Sequence, residues 1–443
     1  MAFLLECKAT LKLALPIAIG LLAQMAMGLI DSIMVGRLGA AHLAAGTFAN
    51  GVITIMMVFG IGSSNVVGPI LSHMHGAGKE EECGARLLQS ILLYLSLGLT
   101  LSIFAEIISY FLEIFNQPEE VTILARDFFR LMGLSLPMAF VFNVYKQFVE
   151  SYGKTGFPML LYLVALGINT FINWFLIYGN GPFPKMGLLG AGIGTIIARF
   201  FMLAAIIYHV HKRSKFKKAL TSFKLENVNK EKCFEVLRVG IPSGMQVLFE
   251  VGAFVMGGIM MGWLGTNQLA AHQIAIGIAS MTFMYALGVS LAGGLRVGVA
   301  KGKGDQQGVR RAGFAAIIII AVSMAIFGLI MLIFRKQIPY IYLNDPEVVS
   351  LASKLLLFAV FFQVFDGVQA VAIGLLRGVM DLRFPTVITV FSYGCVCVPF
   401  AYIFGFHTKR GAEGIWLGLT LGLIVASILL FWRFDWVTKN KIT

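Results

Sequence analysis

The second half of this 443-residue chain repeats the first. Shifted by 226 positions, Leu15–Asn50 aligns without a gap on Ile241–Ile276, with 11 identities in 36 places. The identities include Pro16/Pro242, Ile33-Met34/Ile259-Met260, Gly36/Gly262, Leu38-Gly39/Leu264-Gly265 and Leu43-Ala44-Ala45/Leu269-Ala270-Ala271. The same register pairs Gly76 and Gly78 with Gly302 and Gly304. A chain built from two copies of one hydrophobic unit must fold as two similar bundles. In membranes, such a duplication puts a cavity where the copies meet. Polar residues present in only one copy then become the first candidates for function.

Composition fixes the setting. The chain is 58% hydrophobic and 13% charged, against the ~25% charge of ordinary soluble domains. Twelve apolar stretches, from 13–36 to 412–435, are each long enough to cross a hydrocarbon core of ~30 Å. None shows sustained strand-like alternation, so the expected fold is an all-α membrane protein with two pseudo-symmetric six-helix bundles. The expected division is an N-terminal lobe over 1-210, a basic linker over 211-237 and a C-terminal lobe over 238-443. Equal span order in both halves makes this a parallel repeat, about an axis along the membrane normal. Small residues at four-residue spacing, as in Gly414, Gly418 and Gly422, predict close helix packing.

The net charge of +13 does not point to nucleic acid, because of where the charge lies. Of the 35 Lys and Arg residues, 25 fall in or near the termini and the loops after even-numbered spans. Nine fall on the other side, and Arg199 lies within a span. The positive-inside rule makes the richer side cytoplasmic and places both termini there. The segment His211–Arg238 carries nine of these residues and reads as an orienting, lipid-facing linker. The five cysteines show neither metal spacing nor a disulfide framework. The nearest match to a nucleotide-binding loop, Gly76-Ala77-Gly78-Lys79, is followed by glutamates, which leaves direct coupling to ATP unsupported. No enzyme constellation and no cofactor are expected.

Charges within the spans are the informative residues, since a carboxylate at the bilayer centre costs roughly 2.5–3.5 kcal/mol on insertion scales. Three stand out: Asp31 on span 1, Glu250 on span 7 and Asp366 on span 10. Glu250 lies 12 residues beyond Arg238 and Asp366 12 beyond Lys354, about 18 Å from opposite faces. Their depths therefore differ by about 6 Å, near enough to share one site. A bound proton or sodium ion would relieve the repulsion between them. The repeat aligns Glu250 with Gln24 and Asp31 with Gly257. Neither acid is thus needed merely to build the helix pair.

Asp31 has candidate partners in Asn169 and Asn173, spaced i, i+4 on span 5, and in Thr195 on span 6. Together they would supply an all-oxygen sodium site, or alternatively a hydrogen-bond network that holds the lobe together. Lys146 and Glu150 read as a self-neutralising i, i+4 pair. Arg199, four residues past Thr195, could pair with a carboxylate or bridge the halves, and Glu106 reaches toward the interface. The 21 Met and 37 Phe residues suit either ordinary packing or a cavity that adapts to apolar cations.

These residues resemble a known family. Leu15-Pro16 through Ala49, with Asp31 and Gly36-Arg37-Leu38-Gly39, is similar to the opening span of multidrug and toxic compound extrusion (MATE) transporters. Glu250, followed by Trp263-Leu264-Gly265 and Leu269-Ala270-Ala271-His272-Gln273, resembles their seventh and eighth spans. The likeness covers essentially the whole chain. It implies two six-helix lobes and sodium- or proton-driven antiport that exports organic cations and drugs by alternating access. The acids at 250 and 366 resemble the NorM-type branch. By the same likeness, Asp31, Asn169, Asn173 and Thr195 correspond to an N-lobe cation site, with Na+ as the metal. In that branch a tyrosine stands near the C-lobe cation, whereas here Phe283 fills that place, with Tyr285 two residues on. The implied partners are membrane lipids and cationic amphiphilic small molecules. The implied setting is the bacterial inner membrane, with the protein a monomer. The alternative function is a lipid-linked precursor flippase of the same superfamily, a group that usually carries extra spans and a strongly basic cavity.

Overall fold

The structure, a computed structural model, describes residues 2–408 and 410–440. Among them are twelve helices long and apolar enough to cross a membrane. The first six are α1 (Phe3–Gly36), α2 (Ala40–Gly76), α3 (Glu80–Ser109), α4 (Glu119–Ser151), α5 (Gly156–Tyr178) and α6 (Leu188–Lys212). The second six are α7 (Lys230–Leu264), α8 (Thr266–Gly302), α9 (Gln306–Phe334), α10 (Pro346–Gly378), α11 (Arg383–His407) and α12 (Gly411–Asn440). No strand occurs among the described residues. The expected all-α architecture of twelve spans is observed.

Local backbone demands explain why the repeat keeps the residues it keeps. The turn between α1 and α2 passes through Gly39 at φ 126°, and the turn between α7 and α8 through Gly265 at φ 138°. Both are conformations that side chains with a Cβ rarely adopt. Gly78 and Gly304, just past the ends of α2 and α8, are likewise left-handed, at φ 75° and 71°, as helix C-termini commonly require. The duplicated prolines, Pro16 and Pro242, lie inside α1 and α7. There a proline removes a backbone hydrogen bond and favours a kink.

The chain forms two compact units, and the first helix of each half belongs to both. One, the N unit, comprises 19–75 and 79–244; the other, the C unit, comprises 1–18, 76–78 and 245–443. Their limits differ from the expected lobe boundaries at the starts of α1 and α7. The changeover in each helix falls within a turn of its proline. In the N unit, the start of α7 packs closely. A Cβ at Gly240 would meet the Tyr94 hydroxyl at 2.7 Å, and Ser243 Oγ donates to the Gly62 carbonyl at 2.9 Å. In the C unit, the start of α1 does the same against α8, where a Cβ at Gly288 would meet the Ala14 carbonyl at 2.8 Å.

Within the N unit the C-terminal half of α4, Leu136–Ser151, is buried on nearly every face. Part of the basic linker packs onto this unit. Phe216 is buried against Phe148 and Tyr152, and Gln89 Nε2 donates to the Asn227 carbonyl at 3.0 Å. Lys217 and Lys218 stay exposed. Within the C unit, α12 lies directly on α11. Added Cβ atoms at Gly414 and Gly418 would come within 2.1 Å of the α11 backbone, at Phe404 and Ala401. The four-residue glycine spacing thus serves close packing, as expected. We predict that Gly418→Val costs about 1–3 kcal/mol by overpacking and lowers the melting temperature in detergent. Gly252→Ala, whose Cβ would meet nothing within 4 Å, should leave it unchanged.

Candidate functional site

Each unit holds one buried acidic cluster. In the N unit Asp31 comes from the C-terminal part of α1, five residues before its end. It meets two asparagines one turn apart on α5 and a threonine on α6. Asn173 Nδ2 donates to Asp31 Oδ1 at 2.6 Å. Thr195 Oγ1 lies 3.4 Å from Asp31 Oδ2, and also donates to the Ala191 carbonyl at 3.0 Å. Asn169 joins through Thr195 at 3.4 Å and through Asn173 at 3.3 Å. Asn169 and Asn173 are fully buried, Thr195 is buried and Asp31 is half-buried. All four sequence candidates therefore share one cluster.

The donor set suits a hard monovalent cation. It offers a carboxylate, two amide oxygens and a hydroxyl, and no nitrogen or sulfur ligand is required. Asn173 Oδ1 has no hydrogen-bond partner among the described residues. The fit at this point depends on a glycine, since a Cβ at Gly194 would lie 2.0 Å from that oxygen. Rotation of the Asn173 amide would turn Oδ1 toward Asp31, which is favourable only with a cation between the two oxygens. Arg199, one turn past Thr195, donates to Ser135 Oγ and acts electrostatically on Asp31.

In the C unit Glu250 is on α7, and Asp366 is on α10. Gln369, three residues past Asp366, donates from Nε2 to Glu250 Oε1 at 2.8 Å, which brings the two acids into one cluster. Glu250 also acts electrostatically on Asp366. Both are buried, at 9% and 5% exposure. Asp366 Oδ1 has no hydrogen-bond partner among the described residues, and the Tyr393 hydroxyl faces Gln369. Tyr393 sits in a π-helical stretch of α11, Ser392–Cys397, an irregularity frequent at functional sites.

Some of these residues escaped sequence reading. Arg377, the buried guanidinium nearest this cluster, donates to Gln246 Oε1 at 3.3 Å, and Gln246 in turn donates to Thr389 Oγ1 at 3.1 Å. Arg377 stands one residue before the end of α10, where a charge reads as part of the following loop. Gln246 and Gln369 each lie within one turn of a chosen acid, a signal that could have found them. The aromatic candidates fare differently. The Tyr285 hydroxyl lies 3.1 Å from Ser323 Oγ on α9, and its ring packs on Phe327. Phe283, two residues earlier, is about 200° around the helix and half-buried.

The remaining intramembrane charges pair locally. Lys146 and Glu150 lie 3.7 Å apart with almost no exposure, and Glu106 pairs with Arg130 at 3.1 Å.

A family model described as MatE matches residues 16–175 and again 242–403. The two matches begin at Pro16 and Pro242, the prolines of the internal repeat. A relative from Agrobacterium fabrum, named "Probable multidrug resistance protein NorM", is 33% identical over 98% of this chain and 94% of its own length. Among solved structures, an outward-facing multidrug resistance MATE family transporter of the MOP superfamily superposes with a TM-score of 0.90. Its identity is 23%, over 98% of this chain and 96% of that one. The eukaryotic MATE transporter AtDTX14 gives 0.89 at 20% identity over 100% of both chains.

The ion pair inside α4 yields a prediction independent of transport. Lys146→Met strands the buried Glu150 carboxylate and should destabilise the protein by about 3–5 kcal/mol, read as lost thermal stability in detergent. The double change Lys146→Met with Glu150→Gln should recover most of it. A double variant as unstable as the single one would show that the pair is not the cause.

Proposed function

The chain belongs to the MatE family, and from that membership we propose that it is a cation-coupled exporter of organic cations and drugs. The observation that carries this reading is the pair of buried carboxylates, Glu250 and Asp366, bridged by Gln369, with an oxygen of Asp366 left unpartnered. A buried acidic pair without a full complement of partners is unfavourable until a positive charge joins it. A proton, a sodium ion or an organic cation would each meet that need, and they would compete for it.

Antiport follows from this competition. In the state open to the outside, Na+ or H+ takes the acids and displaces the drug. In the state open to the cytoplasm, the ion leaves down its gradient and a drug cation replaces it. Coupling requires only that the two states differ in their relative affinity for ion and drug. Asp31, Asn169, Asn173 and Thr195 offer a second place for the coupling ion, with the oxygen chemistry that sodium prefers. The protein would work as a monomer in a bacterial inner membrane. Both termini would be cytoplasmic, on the side richer in Lys and Arg. The acidic character of the C-unit cluster suits a cationic substrate better than the anionic headgroup of a lipid-linked precursor.

Efflux from proteoliposomes under an imposed sodium gradient, then an imposed pH gradient, tests the proposal. Glu250→Gln and Asp366→Asn should each lower ion-driven ethidium efflux by more than tenfold, with normal expression and folding. Full efflux in both variants would remove the C-unit acids from the mechanism. Asp31→Asn should weaken the dependence on the driving ion, and an unchanged ion dependence would make the N-unit cluster structural.

A further inference from the structure

We infer that Arg377 fixes the valence of the C-unit site at one, so that the site accepts monovalent cations and discriminates against dications. The inference rests on the reading of Glu250 and Asp366 as the exchange site. Arg377 is 8% exposed, near the inner end of α10 and eleven residues past Asp366. On an α-helix that spacing returns a side chain to within about 20° of the same face. Arg377, Gln369 and Asp366 therefore share one side of α10. On α7, Gln246 and Glu250 are one turn apart, and each takes a hydrogen bond from that side of α10. Arg377 is accordingly tied to the acid cluster at two points. Its guanidinium donates to Gln246, and its field acts on Glu250.

The charge count gives the consequence. Other ionisable side chains of the C unit are engaged away from the cluster. Arg433 pairs with Asp381 at 2.7 Å, Arg296 with Glu6, and Arg310 with Asp435 at 2.9 Å. Lys301 Nζ donates to the Val379 carbonyl at 2.6 Å. His272, taken as a neutral imidazole, adds no charge to the count and packs on Trp416. Around the exchange site this leaves two carboxylates and one guanidinium, a single uncompensated negative charge. A guanidinium does not give up its proton at any physiological pH, so the count does not drift. One proton, one sodium ion or one organic monocation brings the site to neutrality. A dication would leave a positive charge in a poorly solvated interior, which is unfavourable. One-for-one exchange of a proton or sodium ion for a monocation follows.

The test compares two probes in reconstituted full-length protein: tetraphenylphosphonium, a monocation, and methyl viologen, a dication. The wild type should exchange tetraphenylphosphonium at least tenfold faster than methyl viologen at equal concentration. Arg377→Gln keeps a polar group beside Gln246 but leaves two uncompensated negative charges, and should lower that ratio tenfold or more. Arg377→Lys, which keeps the charge, should retain the wild-type ratio. Equal exchange of both probes by the wild type, or an unchanged ratio in Arg377→Gln, overturns the inference. Should Arg377→Gln fail to fold, competition in the wild type decides: methyl viologen must displace bound tetraphenylphosphonium only weakly. Glu250→Gln separates the two levels. If it still binds and exchanges tetraphenylphosphonium normally, the exchange site itself has been misassigned. If it does not, and Arg377→Gln leaves the ratio unchanged, only the role of Arg377 falls.

Discussion

The structure turns on one constraint: a carboxylate removed from water must find compensating charge or hydrogen bonds inside the protein. Each unit meets it incompletely at one place. Asp31 has an amide donor at 2.6 Å and a distant guanidinium, while the facing Asn173 oxygen lacks a partner. Glu250 has the Gln369 amide at 2.8 Å, yet Asp366 beside it retains an unpartnered oxygen. Elsewhere the same constraint is met fully by local pairs such as Arg433 with Asp381. At the two clusters a mobile cation would make up the difference.

The helical scaffold holds these clusters at a fixed depth. Glycines at 414 and 418 bring α12 onto the backbone of α11, the helix that carries Tyr393 and Thr389. Gly194 leaves room for the Asn173 oxygen. Prolines mark the points at which α1 and α7 pass from one compact unit to the other. Asp31 and Glu250 both lie beyond those points. Each acid is therefore carried by a helix whose N-terminal part is counted in the other unit.

Much of this was legible in the sequence, and for identifiable reasons. Hydropathy and length dictate twelve spans, because a backbone in hydrocarbon must satisfy itself as helix. The paired glycines reflect left-handed turns that the backbone imposes on both copies. Asp31, Asn169, Asn173 and Thr195 could be grouped from residue type and helical spacing. Arg377 was hidden because its long side chain lets a residue at the membrane edge act one or two turns deeper. Tyr393 was hidden because a π-helical stretch shifts the face that ordinary helical counting assigns. The crossing of α1 and α7 between units leaves no mark in hydropathy at all.

The most direct test of the central idea is equilibrium competition on the purified protein. Binding of tetraphenylphosphonium should be measured across a series of sodium concentrations at fixed pH, then across pH at fixed sodium. If ion and drug take turns at the buried acids, the apparent Kd should rise in proportion to the concentration of the coupling ion, without a plateau. A Kd that ignores both ions, or that levels off while drug and ion remain bound together, would contradict shared occupancy of Glu250 and Asp366.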